Sequence, residues 1–348
     1  MRLFYFGMPG GCGGANTEMW HTLRMFRERG VVVGVIPTWG EDREWESRLK
    51  KIGCSIYRAK RESLSDISEL RGAVAMSMCN SNFFPCVPML RDMGCKIVWS
   101  NAMTFSNPDE VICWETNGPA DAYHFQSQYQ RNELEKVLAN VGYRPEMGHT
   151  IRGAFYEDEF PFAPRPYGGT AGPDFYIGRM ARPDHDKWSS NLWSIYGRVQ
   201  YRHRKAEVMG VSENTQSKLG KTPPWAKVFR PSAMSARDFL GRLHCYLTVN
   251  GGARENWPRV GLEAMSAGVP IVAQDKWGWK EMIVHGETGF LGGCDEEMAH
   301  YTATLAYDDR LRMRIAENAR DRLVSEIANM DFIWFGWGSL FSSIGESP

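Results

Sequence analysis

The chain has 348 residues, of which 43% are hydrophobic, 12% aromatic and 24% charged, a composition that excludes a disordered or collagen-like chain. That length exceeds what one hydrophobic core usually organises and predicts two domains of about 150 to 200 residues each. The 41 Lys and Arg equal the 41 Asp and Glu, so no global field draws the chain to nucleic acid or to an anionic membrane.

In chain order, a first strand is expected at residues 3–6. The apolar run there is broken by Gly and Pro and is too short for the core of a signal peptide. A glycine-rich turn, GGCGGAN at 10–16, precedes a helix at 17–29 and a strand at 31–36. Further strands are expected at 74–78 and 96–99, a helix at 128–140 and a strand at 149–152. This alternation is that of a parallel α/β sheet. Residues 157–174, EDEFPFAPRPYGGTAGPD, hold four prolines and three glycines without periodicity and read as a linker. The rhythm then restarts, with strands at 175–177, 207–211, 245–249 and 271–273 and helices at 190–201, 235–243 and 258–267. A charge-rich helical stretch follows from 295 to 324. The tail, DFIWFGWGSLF at 331–341, reads as an aromatic segment packing on the first domain.

The 8 cysteines show no CxxC pair or zinc-finger spacing and are expected to be reduced and mostly buried. No uncharged apolar run reaches the roughly 18 residues of a membrane helix, so a cytoplasmic protein with at most peripheral membrane contact is expected. The basic segment RVQYRHRK at 198–205 reads as a solvated helix end, and no nucleic-acid partner is expected.

Residues 250–291 carry the chemistry. Pro258 suits the first turn of a short helix, with Asn256 or Trp257 as its cap and Gly268 at its end. A helix start pointing out of a strand leaves backbone N–H groups and a positive dipole end suited to a diphosphate. Glu255 and Glu263 are eight residues apart, up to about 12 Å along a helix axis. Glycosidase carboxyl pairs stand closer, at about 5 to 9.5 Å. The two carboxylates therefore suit the two ends of an extended ligand. Upstream, YIGRMARPDHDKW places the cations Arg179, Arg182 and Lys187 at and after the end of the strand expected at 175–177. The Asp184-His185-Asp186 triplet is taken as a solvated loop, with no metal and no cofactor expected.

With its Glu, seven residues, Glu spacing, LEAMSAGVPIV and HGETGFL, this stretch resembles the retaining family 4 glycosyltransferases of the GT-B fold (glycosyl transferases group 1). The resemblance implies two Rossmann-like domains with a cleft between them and a C-terminal helix crossing back to the first. The expected bounds are 1–160 for an acceptor-binding domain, 170–325 for a nucleotide-sugar-binding domain and 326–348 for the returning tail. By resemblance, Glu255 contacts the donor sugar, Glu263 holds the ribose, and Arg179 and Lys187 bind the diphosphate, with Arg182 able to share that role. Gly13 and Gly14 match the family's N-terminal glycine pair. Asn256, Trp257, Pro258 and Arg259 line the donor site, where Trp257, Pro258 and Arg259 replace the usual small residues and Phe. The family's mid-domain histidine is absent; either Asn101 replaces it or His124 comes close instead. The implied activity is retaining, metal-independent transfer of a sugar from a UDP-, GDP- or similar nucleotide sugar to an acceptor hydroxyl. The alternatives are an epimerase or phosphorylase on the same fold, and a non-catalytic nucleotide-sugar-binding module.

Overall fold

The computed structural model describes residues 1–10, 13–40, 42–168 and 172–347. Gly11 and Cys12 of the glycine-rich turn, and residues 169–171 of the expected linker, lie outside the described residues. The chain divides into two compact units, Met1–Phe155 with Met330–Pro348, and Tyr156–Asn329.

The first unit is built on seven strands: β1 (Arg2–Phe6), β2 (Val32–Ile36), β3 (Ser55–Ile56), β4 (Val74–Met78), β5 (Lys96–Ser100), β6 (Ala122–Phe125) and β7 (Gly148–Thr150). They lie in the order β3-β2-β1-β4-β5-β6-β7, every neighbouring pair parallel. Strands covered on both faces need apolar side chains at successive positions rather than alternate ones, and β1, RLFYF, is buried at all but its first residue. The helices α1 (Gly14–Glu28), α2 (Arg43–Lys51), α3 (Val87–Asp92), α4 (Pro108–Asn117) and α5 (Gln128–Leu138) lie between the strands in sequence. Strand order reverses at β1, so ligands are expected at the carboxyl ends of β1 and β4. Asn80 ties those ends together by donating to the Phe6 carbonyl at 2.9 Å and to Thr38 Oγ1 at 2.9 Å.

Strand β6 escapes a reading by apolar runs because its four residues include His124. That ring is tolerated in the core because Ser100 Oγ lies 2.8 Å from Nδ1 and the Ile151 carbonyl 2.8 Å from Nε2. The aromatic tail forms a helix (Met330–Ser343) whose Ile333, Trp337, Leu340 and Phe341 are buried in the core of this unit. Trp337 packs edge-on to Phe26, centroids 5.0 Å apart, and 4.6 Å from the His124 ring. Burying each such side chain is worth about 1.5–3 kcal/mol, enough to hold the tail in place.

The second unit repeats the design with β8 (Phe175–Met180), β9 (Arg204–Met209), β10 (Ala226–Phe229), β11 (Cys245–Leu247), β12 (Ile271–Gln274) and β13 (Phe290–Gly292). The order is β10-β9-β8-β11-β12-β13, again all parallel, with the reversal at β8. Its helices are α6 (Leu192–Gly197), α7 (Glu213–Leu219), α8 (Ala236–Leu240), α9 (Arg259–Ala267), α10 (Trp279–Met282), α11 (Asp295–Tyr307) and α12 (Asp309–Arg322). Strand β9 lies a few residues earlier than expected, and it stops before Gly210, which at φ 103° comes so close to the Ala181 carbonyl that a Cβ would overlap it. The described part of the proline-rich segment is not a free linker. Ala163 N–H donates to the Ala267 carbonyl at 3.2 Å, Ser266 Oγ donates to the Phe160 carbonyl at 2.6 Å, and Arg165 stacks 3.8 Å above the Tyr176 ring. Its prolines and glycines fit it as a strap along the second unit.

Candidate nucleotide-sugar site

The site is assembled where the second sheet reverses. The loop after β8, residues 181–188, is zipped to the loop after β11, residues 248–258. The Asp186 carbonyl accepts from Gly251 N–H and Ala253 N–H, each at 3.0 Å, and a Cβ on Gly251 would overlap the Trp188 carbonyl. Beyond β12, Gly278 N–H donates to the Glu255 carbonyl at 2.9 Å, and its missing side chain leaves room for the Asn256 carbonyl.

On this frame the predicted residues fall into place unequally. Lys187 Nζ meets Glu255 Oε1 at 2.9 Å, the two side chains 19% and 15% exposed. Asn250 Nδ2 donates to the same oxygen at 3.0 Å, while its Oδ1 accepts from Arg179 Nη2 at 3.1 Å. A continuous polar chain, Lys187–Glu255–Asn250–Arg179, thus lines the carboxyl ends of β8 and β11. Its partly exposed end is Lys187. Arg179 is 1% exposed; it also donates to the Val249 carbonyl and lies 4.9 Å from the Trp188 ring. Its guanidinium ties the end of β8 to the exit of β11, and Nε has no hydrogen-bond partner among the described residues. Arg182 stands apart, half-exposed and 3.2 Å from Asp184.

Helix α9 begins one residue later than expected, with Pro258 itself as the cap and no side-chain cap bond. The proline ring fixes φ near −65° and offers no N–H, so the first turn keeps its own backbone donors. Asn256, Trp257, Pro258 and Arg259 are all buried around it. Gly268, at φ 80°, ends the helix in the left-handed conformation. Glu263 lies inside α9, 9% exposed. Burial pushes its carboxyl up to about 7, Arg259 one turn back opposing the shift and Glu159 adding to it.

The first-unit residues are placed differently. Gly13 caps α1 with φ 159° and Gly14 opens it. His124 is 1% exposed with both ring nitrogens engaged, and burial lowers its pKa to about 4, which makes it a core residue and corrects its reading as a sugar contact. Asn101 is also engaged: Nδ2 donates to the Phe105 carbonyl at 3.1 Å and Glu110 Oε2 at 3.2 Å, and Oδ1 accepts from Met103 N–H at 2.7 Å. It shapes the loop after β5. Sequence reasoning missed Asn250 and Trp188, which link and support the cluster; their signals were the NGG that follows β11 and the end of YIGRMARPDHDKW. Among the described residues no group of three or more His, Cys, Asp or Glu is placed to hold a metal, and the seven described cysteines are free thiols.

Residues 236–322 match the model of the family glycosyl transferases group 1. Among solved structures, Anabaena HepE in complex with UDP-glucose is 16% identical, with a TM-score of 0.74 over 98% of this chain and 100% of that one. S. aureus TarM in complex with Fondaparinux, alpha-GlcNAc-glycerol and UDP is 11% identical, TM-score 0.73, over 97% of this chain and 99% of that one. Sucrose-phosphate synthase from Thermosynechococcus elongatus is 12% identical, TM-score 0.71, over 99% of each chain. No curated protein matches the chain by sequence. The chain therefore has the GT-B fold of these glycosyltransferases, and its second unit carries a glycosyl transferases group 1 segment.

Proposed function

We propose that the chain is a retaining glycosyltransferase that moves a sugar from a nucleotide-diphosphate sugar, uridine-based, to an acceptor hydroxyl. The observation that carries this reading is the polar chain from Arg179 to Lys187 beside the uncapped start of α9, at the reversal of the second sheet. A cation and a helix N-terminus at one sheet edge suit a diphosphate, and the HepE and TarM structures hold UDP or UDP-glucose.

In this reading the second unit holds the donor and the first the acceptor. Glu263 accepts hydroxyls of the ribose, Glu255 positions the sugar, and Lys187 stabilises charge on the diphosphate. Arg179 acts through Asn250 as a positioning residue. The bond between the anomeric carbon and the phosphate oxygen breaks as one to the acceptor oxygen forms on the same face, and the acceptor's proton passes to the leaving diphosphate. No metal is required, because Lys187 and the backbone donors of α9 meet the developing charge. The chain works in the cytoplasm; among the described residues no helix is long and apolar enough to cross a membrane.

A thermal-shift screen against nucleoside diphosphates and their sugars tests the reading, since a bound ligand raises the midpoint with its concentration over affinity. UDP and one UDP-sugar should raise it, and the product formed from that sugar should keep its anomeric configuration by NMR. No shift with any nucleotide would overturn the proposal.

A further inference from the structure

Lys187 stands on a turn that depends on its neighbours for its shape. His185–Lys187 is a short 3-10 turn, closed by a bond from Lys187 N–H to the Asp184 carbonyl at 3.1 Å. A single turn gains few hydrogen bonds for the dihedral angles it fixes, so contacts from outside must hold it. The loop after β11 supplies such contacts on the Asp186 carbonyl. Lys218, in the last turn of α7, supplies another. Its Nζ donates to the His185 carbonyl at 2.7 Å and lies 3.4 Å from His185 Nδ1. A cation at a helix C-terminus ordinarily meets the free carbonyls of its own helix, whereas this one reaches out of it. Helix α7 is a firm base for that reach, with a capping box between Ser212 and Thr215 and with Thr215 and Leu219 buried. Gly251 leaves the room the ammonium needs: a Cβ there would stand 2.8 Å from Lys218 Nζ. Lys218 therefore sits at the junction of the two loops that carry Lys187 and Glu255.

With the carbonyls of His185 and Asp186 held from two different elements, the backbone at Lys187 is fixed. Charge on the diphosphate grows as its bond to the anomeric carbon breaks, so a displaced Lys187 costs more in the transition state than in the bound donor. We propose that Lys218 is a positioning residue for Lys187: its bond to the His185 carbonyl fixes the turn from which Lys187 meets the leaving diphosphate, and it governs turnover more than donor affinity. This inference rests on the glycosyltransferase reading.

The test compares the full-length wild type with Lys218→Met, Lys218→Arg, Lys187→Ala and the double variant Lys187→Ala/Lys218→Met. Donor hydrolysis is followed as release of UDP from whichever of UDP-glucose, UDP-galactose and UDP-N-acetylglucosamine the wild type cleaves fastest. UDP affinity by calorimetry, the thermal midpoint and hydrogen–deuterium exchange of the 184–188 amides are measured on the same preparations. Lys218→Met should lower kcat roughly 10- to 100-fold, the scale of a misplacement of about 1 Å, with a smaller loss of UDP affinity. Its midpoint should stay near wild type, since Thr215 and Leu219 anchor α7. The 184–188 amides should exchange faster in Lys218→Met, and Lys218→Arg, which can still donate to the carbonyl, should restore most of both readouts. In the Lys187→Ala background the loss of Lys218 should cost no further turnover, because it acts through Lys187. A second, multiplicative loss there would overturn the inference, as would unchanged exchange in the turn or unchanged turnover. So would a loss in Lys218→Arg as deep as in Lys218→Met, or a fall in midpoint or UDP affinity that matches the fall in turnover. A wild type that binds no nucleotide and cleaves no donor instead counts against the glycosyltransferase reading, and the exchange of the 184–188 amides then still decides whether Lys218 holds the turn.

Discussion

Replacing Glu263 by Gln should make the second unit more stable above neutral pH while weakening UDP binding. Burial raises the carboxyl from 4.5 to about 7 in the folded chain, so the folded state holds this proton more tightly than the unfolded one. Stability from this group is therefore present below the unfolded value, falls as pH rises through the interval, and is fully lost above about 7. At 1.36 kcal/mol per pH unit of displacement, the ionised carboxylate costs about 3 kcal/mol at pH 8. A unit of this size gains about 2–4 °C in midpoint per kcal/mol, so Glu263→Gln should melt roughly 6–12 °C higher at pH 8 and almost unchanged at pH 4.5. Ribose binding reverses the sign: the carboxylate accepts hydroxyls with charge-assisted bonds of about 1.5–3 kcal/mol, so the variant should bind UDP more weakly at pH 8. Wild-type affinity should also fall toward that of the variant below pH 7. Calorimetric titration of both proteins with UDP at pH 6 and 8 reads this out, and comparison of the two cancels the protonation of the nucleotide itself. Equal affinities at both pH values, with equal midpoints at pH 8, would refute the reasoning.

Much of this design is legible in the residues alone. Both sheets announce themselves through runs such as LFYF and VAMSM in the first and CYL and IVA in the second, whose burial on two faces makes them nearly continuously apolar. The carboxylates are legible because their chemistry depends on spacing along one chain, from Glu255 to Glu263. Partnerships across the sheet are not. The partners of Arg179, the Val249 carbonyl and Asn250, lie some seventy residues away in sequence. His124 looks available until Ser100 and Ile151 close on its two nitrogens. The small strands β3 and β13 and the edge strand β10 are invisible to periodicity because two to four residues carry too few side chains to show a period. The strap at 156–168 misleads for a related reason. Proline and glycine mark irregular backbone, whether it hangs free or lies packed, and partners distant in sequence, Ser266, Ala267 and Tyr176 among them, reveal that it is packed.

Arg179→Ala should lower the thermal midpoint as well as turnover, because two charge-assisted bonds of about 1.5–3 kcal/mol each vanish from a buried site. Arg179→Lys should not restore it, since an ammonium lacks the planar fork, and an unchanged midpoint in both would show that the arginine does not hold the β11 exit. Transfer should persist in excess chelator; activity abolished by chelator and restored by manganese would assign Asp184 and Asp186 to a metal. Glu255→Gln separates the two carboxylates. The amide keeps the volume and can still accept from Asn250, but it no longer holds Lys187 by charge, and the pair is partly buried. Lys187 is then free to stay with the diphosphate, so UDP affinity should change by less than about fivefold, the range of a partly exposed ion pair. Turnover and donor hydrolysis should instead collapse, because the sugar end has lost the carboxylate that positions it. Glu263→Gln should show the opposite pattern, weaker UDP binding with the sugar end intact. Titration of both variants with UDP beside transfer assays decides between them: equal weakening of UDP binding would mean that the two carboxylates do not hold separate ends of one donor.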